Sequence, residues 1–181
     1  MKYLLTVWSE SPEDYFLIQG TINHLNKIGS KTHLICKKKI KKKLEKNFFH
    51  KNCKKYEIFS SRNKILDKLF FLYYLFYLIF FTFYLKPNKI ILYNNRPIIS
   101  VFFIKFFFKG KIIYHNFDYD PSQKTLAKKI FNYFERKFLK YFDLLIFPDE
   151  KRAKFFKKKF NLDKKKIVSM YNSLPLNYFG N

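Results

Sequence analysis

"KIIYHNFDYDP", residues 111–121, is the stretch on which the reading of the fold turns. The apolar run Ile112, Ile113, Tyr114 gives way at once to His115, Asn116, Phe117, Asp118, Tyr119, Asp120 and Pro121. A short continuous apolar run closed by turn residues is the signature of a strand buried on both faces. The polar residues after it have three readings: a turn and helix cap, a metal-binding Asp-x-Asp, or a catalytic loop at a strand end. Asp120 before Pro121 fits a helix N-cap most simply. His115 ends the strand, and with Asp118 three residues on it makes a pair suited to proton handling or hydroxyl binding.

Working outward, six more runs have the same character: 3–8, 32–36, 55–59, 89–93, 143–147 and 166–170. Segments long enough for crossover helices separate them. The pattern predicts an α/β, Rossmann-like, doubly wound and mostly parallel sheet of about seven strands, with helices on both faces. The first helix opens on Ser11-Pro12-Glu13-Asp14, close to a capping box, and buries Ile18, Ile22 and Leu25 before Gly29 ends it. A helix over 122–142 presents Leu126, Ile130, Phe134, Phe138 and Phe142 as its apolar stripe. A last helix over 149–160, starting at Asp149, is expected to bury Phe155, Phe156 and Phe160. Residues 69–85, LFFLYYLFYLIFFTFYL, carry no charge. As a helix this run is about 26 Å long, just short of a usual membrane span. It reads as a buried crossover helix or as a face that docks on a membrane, its many Phe and Tyr suiting an interface.

The chain carries a formal net charge of +24 over 181 residues, yet only four of its 37 basic residues are arginine. Nucleic-acid readers lean on Arg, whose planar fork suits phosphate and guanine. Lys, Phe, Ile, Tyr and Asn rise together here, as A+T-rich codons would produce, so the charge does not single out nucleic acid. It does predict attraction to anionic membrane surfaces. Cys36 and Cys53 have no CxxC spacing, and the four histidines show no ligand-like pairing. A reduced, cytoplasmic, metal-free protein follows. No GxGxxG or P-loop follows the first strand, which argues against dinucleotide and P-loop nucleotide binding.

In doubly wound sheets ligands bind beyond the carboxyl ends of the strands. The residues there are Ser9-Glu10, Ser60-Ser61-Arg62, Asn94-Asn95-Arg96, His115 to Asp118, and Asn172-Ser173. Three stretches in order, "KIIYHNFDYDP", "FNYFERKFLKYFDLLIFPDEKRAKFFKKKF" and "KKKIVSMYNSLP", resemble the N-terminal domain of family-4, GT-B-type glycosyltransferases. "TINHLNKIGSKTHLIC" and "KPNKIILYNN" are similar to its first helix with second strand and to a later strand. The resemblance implies one half of a two-domain enzyme, the half that mostly binds the acceptor. It implies catalytic roles for His115 and Asp118, acceptor binding by Ser9, Asn94, Asn95, Arg96 and Asn172, and no metal or other cofactor. On this reading residues 1–172 form the domain and 173–181 begin an interdomain linker, the donor domain being absent.

The expected activity, completed by a donor domain, is sugar transfer from a nucleotide sugar to a cell-envelope or lipid-linked glycan. Alone, the chain is expected to be inactive. The expected partners are that acceptor, a separate donor-domain chain and an anionic membrane surface, with no specific nucleic acid. The place is the cytoplasmic face of the cell membrane. The family's glycine-rich first loop is here "SESPEDY", without glycine. Competing readings are a non-catalytic membrane-docking subunit of the same fold, a basic nucleic-acid binder, and a single-span membrane protein.

Overall fold

The computed structural model describes residues 1–9, 16–38, 52–116, 126–162 and 166–170. Seven strands form one sheet: β1 (Lys2–Thr6), β2 (Lys31–Lys37), β3 (Cys53–Ile58), β4 (Lys89–Tyr93), β5 (Lys111–His115), β6 (Leu144–Phe147) and β7 (Ile167–Ser169). Their order is β3-β2-β1-β4-β5-β6-β7 and every pairing is parallel. The chain winds outward from β1 to β3, then returns to β4 on the other side of β1 and winds the opposite way. This is the doubly wound sheet that the apolar runs predict. The runs at 89–93 and 111–115 coincide with β4 and β5, whereas the first strand ends at Thr6 and leaves Val7 and Trp8 beyond it.

Alternation along each strand divides the core in two. Tyr3, Leu5, Ile91 and Tyr93 pack with Ile18, Ile22 and Leu25 of α1 (Phe16–Lys27) on one face. Leu4, Ile90, Leu92, Ile112, Tyr114 and Leu145 share the other face with four helices. These are α2 (Lys64–Leu85), α3 (Ile99–Phe107), α4 (Leu126–Phe138) and α5 (Glu150–Phe160). β3 lies at one edge of the sheet, and its polar Lys54, Lys55 and Glu57 are what an edge strand tolerates. Cys36 and Cys53 are not joined by a disulfide.

Local chemistry sets the element ends. Gly29 follows α1 at φ 70°, a left-handed conformation that glycine adopts without strain. Asn63 caps α2, its side chain accepting from the backbone N–H of Ile65 at 2.9 Å. Asp149 caps α5, accepting from the N–H of Arg152 at 2.7 Å. Gly110 turns the chain into β5 where a Cβ would run into the Phe108 ring and the Asn88 carbonyl. The Ser11–Asp14 cap expected for α1 lies outside the described residues.

Two apolar stripes differ from expectation. On α4, Phe138 is buried but Ile130 is 46 % exposed. Residues spaced by four advance 40° too far at each step of a 3.6-residue helix, so a five-member stripe wraps off the core face. The helix also tightens into a 3-10 turn at Leu139–Tyr141, which resets the phase and buries Phe142. On α5 only Phe156 is fully buried; Phe155, one residue earlier, points 100° away and lies exposed, and Phe160 is half-buried.

Candidate functional site

In a doubly wound sheet the crevice opens where the strand order reverses, beyond the carboxyl ends of the strands. Here that point lies between β1 and β4, adjacent strands with Thr6 opposite Leu92. Ser9 follows β1 and Asn94, Asn95 and Arg96 follow β4, so the topology gathers these expected acceptor residues at one edge. Ser9 is half-buried and its carbonyl accepts from the N–H of Lys37 at 3.0 Å. Asn94 takes a left-handed φ of 62°, which Asn tolerates better than most residues, and its N–H donates to the His115 carbonyl at 3.0 Å. Asn95 opens the 3-10 turn Arg96–Ile98 without a side-chain cap bond, and Arg96 is exposed. The β4 exit is thus tied through the Asn94 backbone to the end of β5, with Asn95 and Arg96 following it.

His115 is 2 % exposed at the end of β5, its ring 5.3 Å from that of Tyr93 on the α1 side of the sheet. Burial pushes its pKa down to about 4. An imidazole that remains neutral at physiological pH is poorly matched to proton transfer, which works best with a pKa near the working pH. It is well suited to hydrogen-bonding a sugar hydroxyl. Asp118 and Asn172, the other expected site residues of this edge, lie outside the described residues, as do Asp120 and Glu10.

The opposite face of the same edge carries a cluster that the sequence motifs did not single out. The Tyr114 hydroxyl donates to Glu135 Oε1 at 2.5 Å, and Asn116 Nδ2 donates to both Tyr114 Oη and Glu135 Oε1 at 3.0 Å. All three side chains are buried. Burial raises the Glu135 pKa, while the bonds from Tyr114 and Asn116 oppose that shift. Asn116 also donates its backbone N–H to the Ile146 carbonyl at 3.0 Å. The cluster therefore ties α4 to Asn116, the residue that directly follows β5. One signal was available in the sequence: Glu135 lies three residues before Phe138, placing an acid on the apolar side of α4.

Other polar residues of the edge serve the fold. Ser60 Oγ donates to the Lys38 carbonyl at 2.8 Å, Ser61 Oγ accepts from the N–H of Asn63 at 3.1 Å, and Asp149 caps α5. Asp143 lies at the opposite edge, where its carboxylate accepts from the N–H of Ile112 at 2.8 Å. Among the described residues no three His, Cys, Asp or Glu side chains are grouped as a metal ion needs.

No family model and no curated protein matches the sequence. Solved structures do match the fold. Sucrose-phosphate synthase from Thermosynechococcus elongatus superposes with a TM-score of 0.70 at 9 % identity, covering 94 % of this chain and 48 % of that one. A UDP-N-acetylglucosamine 2-epimerase matches at 0.67 and 10 % identity over 93 % of this chain and 47 % of its own. MurG from Acinetobacter baumannii matches at 0.58 and 9 % identity over 99 % and 48 %. The chain spans about half the length of these structures. They share a GT-B glycosyltransferase-like fold, and this seven-stranded parallel sheet has the fold of one half of it.

Proposed function

We propose that the chain is the acceptor-side half of a GT-B glycosyltransferase of family-4 type, receiving a sugar from a nucleotide sugar held by a donor domain. The observation that carries this reading is the reversal point between β1 and β4. Ser9 follows β1, Asn94, Asn95 and Arg96 follow β4, and the buried His115 ends β5, residue types suited to hydrogen-bonding hydroxyls rather than to holding a dinucleotide. Asp118 and Asn172 are assigned to this half's site by the family resemblance alone, in the segments that follow β5 and β7 in sequence. The acceptor is a glycan, free or lipid-linked, and its hydroxyls are oriented by neutral hydrogen bonds while Arg96 attracts any phosphate it carries. His115 and Asp118 act where the sugar is transferred, and the chemistry needs no resident metal or cofactor from this half.

A fold serves several chemistries, and here it also serves an epimerase, so the site must decide. The test is reconstitution. The chain is mixed with donor-domain polypeptides of the same fold, supplied with radiolabelled nucleotide sugar and isolated envelope glycans, and assayed for transfer. Label moving to glycan only in the presence of both halves supports the reading, and His115→Ala should then lower the rate. Epimerised nucleotide sugar without glycan labelling would replace it. Label in neither product with any donor domain would leave a non-catalytic subunit.

A further inference from the structure

Among the described residues, the outer face of α2 departs plainly from ordinary helix packing. Tyr74, Leu78 and Phe81 turn inward and are buried, and the Tyr74 hydroxyl bonds Thr6 of β1. The opposite side is where a crossover helix normally carries its charged stripe. Instead Leu72, Phe76, Phe80 and Phe83 lie 51–71 % exposed along it. Phe83 stacks on Phe107 of α3 with ring centroids 3.6 Å apart, and this contact joins the stripe to Phe103 and Phe106, 51 % and 77 % exposed. Counting all exposed apolar side chains of α2, the face is on the order of 900 Å², beyond the ~300–600 Å² of the largest patch on a typical monomer.

Charge identifies what covers it. Between residues 62 and 110 there are eight Lys or Arg and one acid, Asp67, which is ion-paired with Lys37 at 3.0 Å. The exposed cations bracket the aromatic face, Lys64 and Lys68 at one end and Lys86, Lys105 and Lys109 at the other. Two copies of this chain would bring these cations together, so self-association is opposed by the same charges. An anionic bilayer satisfies both features, accepting the aromatics at headgroup level and the lysines at the phosphates. α2 is also long and apolar enough to cross a membrane. To do so it would have to leave the sheet, exposing Tyr74, Leu78 and Phe81 and breaking the 2.7 Å bond from Lys2 Nζ to the Leu85 carbonyl.

We infer that the α2–α3 face is a docking surface for anionic phospholipid bilayers, on which α2 lies in the interface plane without spanning. This stands whether or not the chain transfers sugar. The test is flotation of the full chain with vesicles of phosphatidylcholine alone and of phosphatidylcholine with about one-third phosphatidylglycerol. Binding is expected with the anionic vesicles only. It should weaken at about 1 M salt, where the Debye length shrinks to ~3 Å, and alkaline carbonate should release the protein. Phe76→Glu with Phe80→Glu should lower the partition coefficient at least about tenfold while circular dichroism remains unchanged. Should that pair fail to fold, Phe80→Trp read with brominated anionic lipid replaces it: Trp8 is 7 % exposed, so quenching reports on position 80. Equal binding to neutral vesicles, wild-type binding by the double variant, or no quenching at position 80 would overturn the inference. So would retention after carbonate, or a dimer that the same substitutions dissolve with no vesicle binding.

Discussion

His115 and Glu135 change stability in opposite directions as pH changes. Burial holds the His115 pKa near 4, below its ordinary 6.5, so the unfolded chain binds more protons than the folded one between those values. Its contribution to stability is complete above pH 6.5 and is lost as pH falls toward 4, at most about 3 kcal/mol. His115→Gln should flatten the fall of Tm over that window, and an unchanged slope would remove the buried neutral imidazole from the account. Glu135 has a raised pKa, so the stability it supplies is present at low pH and is lost as pH rises through its folded value. Glu135→Leu leaves the Tyr114 hydroxyl without its acceptor and Asn116 Nδ2 with only its bond to Tyr114, costing about 1–3 kcal/mol; Glu135→Gln retains an acceptor and should cost less in urea unfolding. At this scale the sequence was half legible. The polar residues after β4 and β5 could be placed at one edge of the sheet because strand ends are predictable. The Tyr114–Asn116–Glu135 cluster could not, because it joins residues 21 and 19 positions apart that only the crossover brings together.

Among the elements, α2 divides most sharply between what folding and what an external surface demands. Leu78 is fully buried and Phe76 is 71 % exposed two residues away. Leu78→Ala should cost about 2–5 kcal/mol by leaving a cavity, and Phe76→Ala should fall within about 0.5 kcal/mol in the same denaturant titration. Comparable losses at both would mean that the outer face is packed against protein. Gly29→Ala, at φ 70°, should destabilise by about 1 kcal/mol where the same change at Gly20, which has open space around it, should not. The existence of α2 was plain from 69–85, but its phase was not. A run without charges offers no polar residue to mark the solvent side, so periodicity cannot tell which face meets the sheet. The boundaries of α5 were clearer because Asp149 is a cap with a mechanism.

For the whole molecule, the doubly wound parallel class, though not the strand order, was readable from seven apolar runs because a parallel sheet covered on both faces writes itself as continuous hydrophobicity. What the sheet does is written at its carboxyl edge, and the +24 charge is spread too widely to choose among anionic partners. The most direct test of the acceptor reading follows the backbone amides of the isotope-labelled chain by NMR. The probes are short-chain prenyl-phosphate disaccharides, with UDP, UDP-glucose and single-stranded oligonucleotides as competitors. The account predicts shifts at Ser9, Asn94, Asn95, Arg96 and His115 with the glycan, and weaker or no shifts there with the nucleotides. Shifts confined to lysine-rich surface segments, or tighter binding of nucleotide sugar or oligonucleotide at that edge, would contradict it.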